Sequence, residues 1–362
     1  MRDWLDFGTI SLRTRLVGAL PVDARFSQSH SLDTAPIHLL HPFDADTHPQ
    51  IQFAHGNHRR EGQRVSAVSE NPPFGIALRI LSGCLFAGMS ICIKAISAEV
   101  PVGEVVFFRS AFALIPLVIF LWIRGEFPHG LSTRRPLGHL LRSSLGAAAM
   151  FASFASIARL PLAEATLLSY LSPTFTSIAG VLLLSERVTV WRVGGVVLGL
   201  AGVLILVWPE MGNTSFSGDR LWGYVFGLLM GVLTAFALIM VRSLSRTESP
   251  GAIAFYFVIA SMLGGIATIP FGWMAPDMYQ LIMLVLAGLF GGFAHIAMTL
   301  AFRHAEASLL APFEYLAITW PILADMLLFD VALSHAFLSA LPLVLGGAAM
   351  AAVDGRRRRV PT

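Results

Sequence analysis

From residue 75 to residue 353 the chain is a succession of long apolar runs separated by short polar links. The runs fall near 75–97, 103–124, 138–158, 162–184 and 190–208, then near 221–243, 251–270, 279–302, 307–329 and 335–353. A helix that crosses a bilayer needs about 20 mostly apolar residues, and each run meets that length. Prolines mark where runs begin, at Pro101, Pro136, Pro161 and Pro250. The pattern predicts an all-α integral membrane protein with ten transmembrane helices. The link from Arg159 to Pro161 is so tight that nine is the alternative count.

The polar flanks orient these helices. One set of links carries Arg134, Arg135, Arg187, Arg192, Arg242, Arg246 and Arg303, and the C-terminus carries Arg356 to Arg359. The opposite set holds little beyond Arg159, Arg220 and Lys94. Basic residues stay on the cytoplasmic side of a membrane, so both termini are expected there, in a multi-pass protein of the cytoplasmic (inner) membrane.

A repeat lies inside the pattern. Ala163-Glu164-Ala165-Thr166-Leu167-Leu168 returns 142 residues later as Ala305-Glu306-Ala307-Ser308-Leu309-Leu310. Gly83 corresponds to Gly231, Lys94 to Arg242 and Ser97 to Ser245, each 148 residues on, and Glu186 to Asp330, 144 residues on. Five predicted spans separate the copies, and five is odd. The second half is therefore expected to stand inverted across the bilayer, as two five-helix repeats over 73–208 and 219–353. Inverted repeats that open alternately to each side are the architecture of secondary transporters.

Composition agrees and adds the ends. The 362 residues are 55% hydrophobic and 13% charged, against roughly a quarter charged for a soluble domain. Residues 1–72 differ: they are rich in Arg, Asp, His, Ser and Pro, and lack the ~7–15-residue apolar core of a secretory signal. They are expected to form a polar, disordered cytoplasmic extension, or an upstream stretch outside the working protein. The pairs His38/His41 and His55/His58 are thin grounds for a metal site. Residues 354–362 form a basic cytoplasmic tail. Cys84 and Cys92 imply neither a disulfide framework nor a metal.

Several phrases resemble a known family. They are Glu104-Val105-Val106-Phe107-Phe108-Arg109, the two Ala-Glu-Ala openings, Leu183-Leu184-Ser185-Glu186-Arg187-Val188 and Ala311-Pro312-Phe313-Glu314-Tyr315-Leu316-Ala317. Over about 75–353 the chain resembles the EamA-type carriers of the drug/metabolite transporter superfamily, which are built as two inverted five-helix repeats. Asp330 departs from the glutamate usual in that family. The Glu-Val-x-Phe-Phe-Arg and Ala-Pro-x-x-Tyr-Leu phrases also resemble bacterial S-adenosylmethionine uptake carriers. The resemblance implies alternating-access transport of a small organic metabolite or drug.

Ionisable groups inside predicted spans supply the candidate chemistry, since each costs at least ~2.5–3.5 kcal/mol at the bilayer centre. Glu314 and His295 lie at one level and are expected to share a hydrogen bond, as a proton-responsive or amine-binding site or as a helix lock. Arg109 lies level with Tyr170 and Ser172, and either holds an anionic group or snorkels to an interface. Lys94 is expected to pair with Glu104 at the outer rim, while Arg79 and Arg142 snorkel at the inner ends. Pro173 and Pro321 are expected to bend the fourth and ninth helices. With Tyr315 and Trp320 those helices are expected to line the pathway.

No nucleotide loop, zinc motif or Ser–His–Asp arrangement stands in the chain. The expectation is a carrier with no cofactor and no nucleic-acid partner, its surroundings the lipid bilayer and its cargo a small organic solute. Proton coupling and a homodimer stay open, with a passive facilitator and a membrane-embedded enzyme as rivals.

Overall fold

The computed structural model describes residues 71–184, 188–211 and 218–357. The chain divides into two units, Met1–Gly62 and Gln63–Thr362, and every described element belongs to the second. The expected polar extension before residue 71, Glu186 and Arg187, and the last five residues of the basic tail lie outside the described residues.

Twelve helices follow in order: α1 (Pro72–Ile96), α2 (Val102–Ile123), α3 (Pro136–Arg159), α4 (Leu162–Ser169), α5 (Ser172–Leu184) and α6 (Val190–Met211). After them come α7 (Asp219–Leu244), α8 (Pro250–Ile266), α9 (Met278–His304), α10 (Ala307–Leu316), α11 (Thr319–Leu327) and α12 (His335–Arg357). No strand occurs among the described residues. Seven stretches are long and apolar enough to cross a membrane: α1, α2, α3, α6, α7, α9 and the α4–α5 pair from Leu162 to Leu182. Helix α8 and His335–Ala351 of α12 are shorter apolar helices.

The starts follow from local chemistry. Asn71 accepts from the Phe74 N–H at 3.2 Å ahead of Pro72, and Ser249 accepts from the Ala252 N–H at 3.0 Å ahead of Pro250. Asp277 and Gln280 form a reciprocal capping box at the head of α9. Gly272, at φ 96°, takes the left-handed conformation that ends the turn after α8.

Two apolar runs, the fourth and the ninth, are each split in two. Pro173 has no N–H to continue the ladder, and α4 closes on tight turns from Tyr170 N–H to Leu167 O and Leu171 N–H to Leu168 O, both 3.1 Å. Pro321 stands likewise just inside α11, behind turns from Ala317 N–H to Glu314 O (3.1 Å) and Ile318 N–H to Tyr315 O (3.4 Å).

Close glycine contacts fix how the helices run. Gly75 of α1 meets Ala305, and Gly88 meets Phe290, so α1 and α9 are antiparallel. Gly223 of α7 meets Leu160 and Gly138 of α3 meets Leu244, so α3 and α7 are antiparallel too. Helix α2 runs parallel to α9, through Phe112 at Gly288 and Pro116 at Gly292. Helix α3 runs parallel to α8, through Gly146 at Phe257 and Phe151 at Gly264. Phe107 at Gly265 and Leu121 at Gly251 make α2 and α8 antiparallel. Gly194 at Met350 and Gly202 at Val344 do the same for α6 and α12. Gly195 and Gly347 lie backbone to backbone in that pair, where a methyl group on either would come within 3 Å of the other's carbonyl oxygen.

The core is lopsided. Its most deeply buried side chains, including Ile93, Ile96, Leu160, Leu162, Leu167, Leu168, Leu171, Tyr224 and Phe337, gather around α4. Among the described residues around α10, Ala301, Ala305 and Leu310 form a small satellite, and Tyr315 packs against the main core. Outward-facing Trp122, Trp208, Trp222 and Phe271 suit a lipid-facing surface with aromatic ends.

Two latches tie the links together. The Gln280 amide donates to Glu99 at 2.6 Å. Glu248, in the α7–α8 link, lies 3.3 Å from the His139 ring and accepts from the Arg134 N–H at 3.1 Å. Burial pushes the Glu248 carboxyl up, but hydrogen bonds from His139, Arg134 and Thr133 outweigh it and hold the group below the usual carboxylate range.

Candidate functional site

A cavity of about 240 Å³ lies where α1 faces the two split helices. Helix α1 contributes Arg79, Gly83, Phe86, Ala87 and Ser90 along one face. Thr166 and Tyr170 close it from α4, Met298 from α9, and Glu314, Ala317 and Pro321 from the α10–α11 break. The breaks put polar backbone on a cavity wall, where membrane proteins tolerate it.

The wall carries one ion pair. Arg79 Nη2 lies 3.3 Å from Glu314 Oε1, and its guanidinium sits 6.0 Å from the centre of the Phe302 ring. Arg79 is buried, whereas the Glu314 side chain is 53% exposed, so the pair opens on its acidic side. The Tyr170 hydroxyl donates to the Glu314 carbonyl at 2.8 Å, and the rings of Tyr170 and Tyr315 lie 5.8 Å apart. One hydrogen bond thus joins the break of the first split helix to that of the second.

Next to the cavity, the turn between α3 and α4 is held from several sides. Asp325 of α11 is fully buried and accepts from the Leu162 and Ala163 N–H groups at 2.9 and 2.7 Å, satisfying the open amides at the head of α4. Lys94 donates to the Ile157 and Leu160 carbonyls at 3.0 and 2.8 Å, satisfying the tail of α3. Glu164 accepts from the Tyr224 hydroxyl at 2.6 Å and from Arg220 at 3.1 Å, and Arg220 also pairs with Glu210 at 2.7 Å. Arg159 pairs with Asp219 at 2.9 Å.

These positions correct several expectations. Glu314 pairs with Arg79 and not with His295, whose ring packs edge-on against Phe86 at 5.0 Å. Arg79 is therefore a wall residue and does not snorkel. Lys94 and Glu104 form no rim pair: Lys94 turns to the α3 carbonyls, and Glu104 accepts from the Met274 N–H at 3.3 Å. Arg109 is buried away from Tyr170 and Ser172, against Gly291 of α9. Ser172 is buried beside Pro173, its carbonyl accepting from Thr176 at 2.7 Å, and Trp320 lies next to Gly83. Asp325 was overlooked, although it is an acid inside an apolar run and the rule that picked out Glu314 applies to it equally.

A helical bundle with long apolar helices, a lipid-suited surface and a partly polar cavity is the form of a multi-pass membrane protein. Residues 73–208 match the model of the EamA-like transporter family. The chain is 32% identical over 250 residues to a pseudopaline exporter of Pseudomonas aeruginosa, covering 68% of this chain and 84% of the relative. It is 26% identical over 261 residues to a riboflavin transporter of Rhizobium johnstonii (71% and 84%) and 26% over 256 residues to an S-adenosylmethionine uptake transporter of Rickettsia bellii (71% and 85%). A solved crystal structure covers 80% of this chain and 100% of its own, with TM-score 0.56 at 21% identity, a likeness of fold alone. The chain belongs to the EamA-like transporter family, among the carriers of the drug/metabolite transporter superfamily.

Proposed function

We propose that this protein is a ten-helix secondary carrier of the cytoplasmic membrane, with inverted repeats over 73–208 and 219–353 and both termini cytoplasmic. It moves a small organic metabolite by alternating access. The observation that carries this reading is the direction of corresponding helices. Where an element touches its own counterpart, as α2 with α8 and α6 with α12, the two run antiparallel. The other contacts exchange in the same way, α1–α9 for α7–α3 and α2–α9 for α8–α3, as a two-fold axis in the membrane plane requires. The latches Glu99–Gln280 and Glu248–His139 join the α1–α2 link to the head of α9 and the α7–α8 link to the head of α3, an exchange that supports the same axis.

In this conformation α4 is sealed and Glu314 is accessible, so the cavity opens toward the α10 end. The basic flanks make that end cytoplasmic. The named relatives include an exporter and an uptake transporter, so they give no direction of transport for this chain. Saturable counterflow in proteoliposomes, tested with flavins, S-adenosylmethionine and small organic acids, is expected; flux that rises linearly without counterflow would make the protein a facilitator. If protons drive transport they pass through Glu314, and Glu314→Gln is expected to lose the pH dependence of uptake. Uptake by that variant that still varies with pH would remove Glu314 from the role.

A further inference from the structure

Among the described residues, most charged groups inside the bundle are partnered, and two arginines are not. Lys94 holds carbonyls, Asp325 and Glu104 hold amides, Glu164 holds Arg220 and Tyr224, and Arg79 holds Glu314. Arg109 of α2 is 3% exposed, and its Nε and Nη1 have no hydrogen-bond partner. Its guanidinium lies against Gly291, where an added Cβ would stand 3.0 and 3.1 Å from Nη2 and Nε. Gly291 is the middle residue of the 27-residue α9, so the guanidinium as placed lies about 20 Å from either end of that helix.

A second cation stands nearby. Arg142 of α3 lies 4.4 Å from the centre of the Phe257 ring, again with Nε and Nη1 unpartnered. His295 is exposed, one turn below Gly291 on α9, and its ring packs on the cavity-lining Phe86. It is also one turn from Met298, which lines the same cavity. No carboxylate lies within ion-pair distance of either arginine among the described residues. A guanidinium held without a counter-ion at mid-membrane is costly, and a fixed fork of donors suits a carboxylate or phosphate in two-point contact.

We infer that the transported solute carries a carboxylate or phosphate group, and that Arg109, supported by Arg142 and His295, is the subsite that receives it. This rests on the carrier reading and narrows it to organic anions. The depth of Arg109 separates a soluble anion from a lipid headgroup, whose phosphate stays at the interface.

The test uses the full chain in nanodiscs of phosphatidylcholine, with thermal unfolding read against citrate, 2-oxoglutarate, glycerol 3-phosphate and, as cations, choline and arginine methyl ester. At least one anion is expected to raise Tm by several degrees, and the cations are expected to leave it unchanged. Arg109→Gln is expected to weaken that anion about tenfold or more, as loss of a charge-assisted hydrogen bond does. Should Arg109→Gln not fold, Arg109→Lys keeps the charge without the fork, and His295→Gln alters only an exposed ring; both are expected to weaken the anion. Anion binding undiminished in Arg109→Lys and His295→Gln overturns the inference, as does a stabilising cation with no stabilising anion. A shift that comes from anionic lipid in the disc, and not from a soluble anion, also overturns it. Anion binding without counterflow would leave the subsite standing and remove the carrier. Counterflow of a cation, undiminished in Arg109→Lys, would do the reverse.

Discussion

Helices α4 and α10 open on nearly the same words, yet their surroundings differ. Glu164 is 4% exposed and bonded to Tyr224 and Arg220, whereas Glu306 is exposed. Leu167 and Leu168 are both fully buried in the main core, while of their counterparts Leu309 is 43% exposed and Leu310 is buried in the small satellite. The head of α4 has the Asp325 carboxylate on its amides, and α10 begins with no side-chain cap. On the carrier reading proposed above, two copies of one motif, one packed and one more open, correspond to one of two conformations.

The largest effect is expected from Asp325→Ala. It removes two charge-assisted hydrogen bonds at about 1.5–3 kcal/mol each and leaves buried amides open, so a loss of about 3 kcal/mol or more is expected, read as a fall in Tm. A change within error would mean that the α4 end is not held there. Glu164→Gln against Glu306→Gln tests the comparison itself. The first is expected to cost about 1–3 kcal/mol through its buried partners, the second less than about 0.5 kcal/mol. Equal effects in thermal unfolding would break the contrast.

How much of this was readable beforehand depends on what each signal measures. Hydropathy reports that a segment lies in a membrane, and helix occurs in all ten predicted runs. Pro173 and Pro321 marked where the fourth and ninth runs divide, because a missing N–H is a local property. Partners were harder. Counting residues from a helix end fixes depth but not the direction a side chain faces, so Glu314 was matched with His295 at its level, while Arg79 stands closer. Lys94 went to Glu104 by the same reasoning. The carbonyls of Ile157 and Leu160 that actually receive it belong to every residue alike and leave no mark in the sequence. Gly291, which lets Arg109 lie at the centre of α9, becomes informative only once α2 and α9 are known to run side by side.

Smaller effects complete the series. Arg79→Gln is expected to cost no more than about 1 kcal/mol of stability, since its partner Glu314 is half exposed, while solute binding in the cavity weakens. Unchanged binding would take the ion pair out of the site. The smallest effect concerns the Glu248 latch. Its carboxyl is held below the usual range when folded, so its contribution is complete above the unfolded pKa of about 4.3 and is lost as pH falls through the folded value. Glu248→Gln is expected to flatten the dependence of Tm on pH in that acidic window and to leave it unchanged near neutrality. A variant as acid-sensitive as the parent would exclude the latch.

The inversion of the two halves is tested most directly by labelling single cysteines in cells or oriented vesicles, with Cys84 and Cys92 replaced. Asp219→Cys marks the end where α4 begins, since Asp219 pairs with Arg159, and Glu306→Cys marks the head of α10. A membrane-impermeant maleimide is expected to reach position 219 only from outside and position 306 only from the cytoplasmic side. Labelling of both from the same side would contradict the inverted repeat and the alternating-access mechanism built on it.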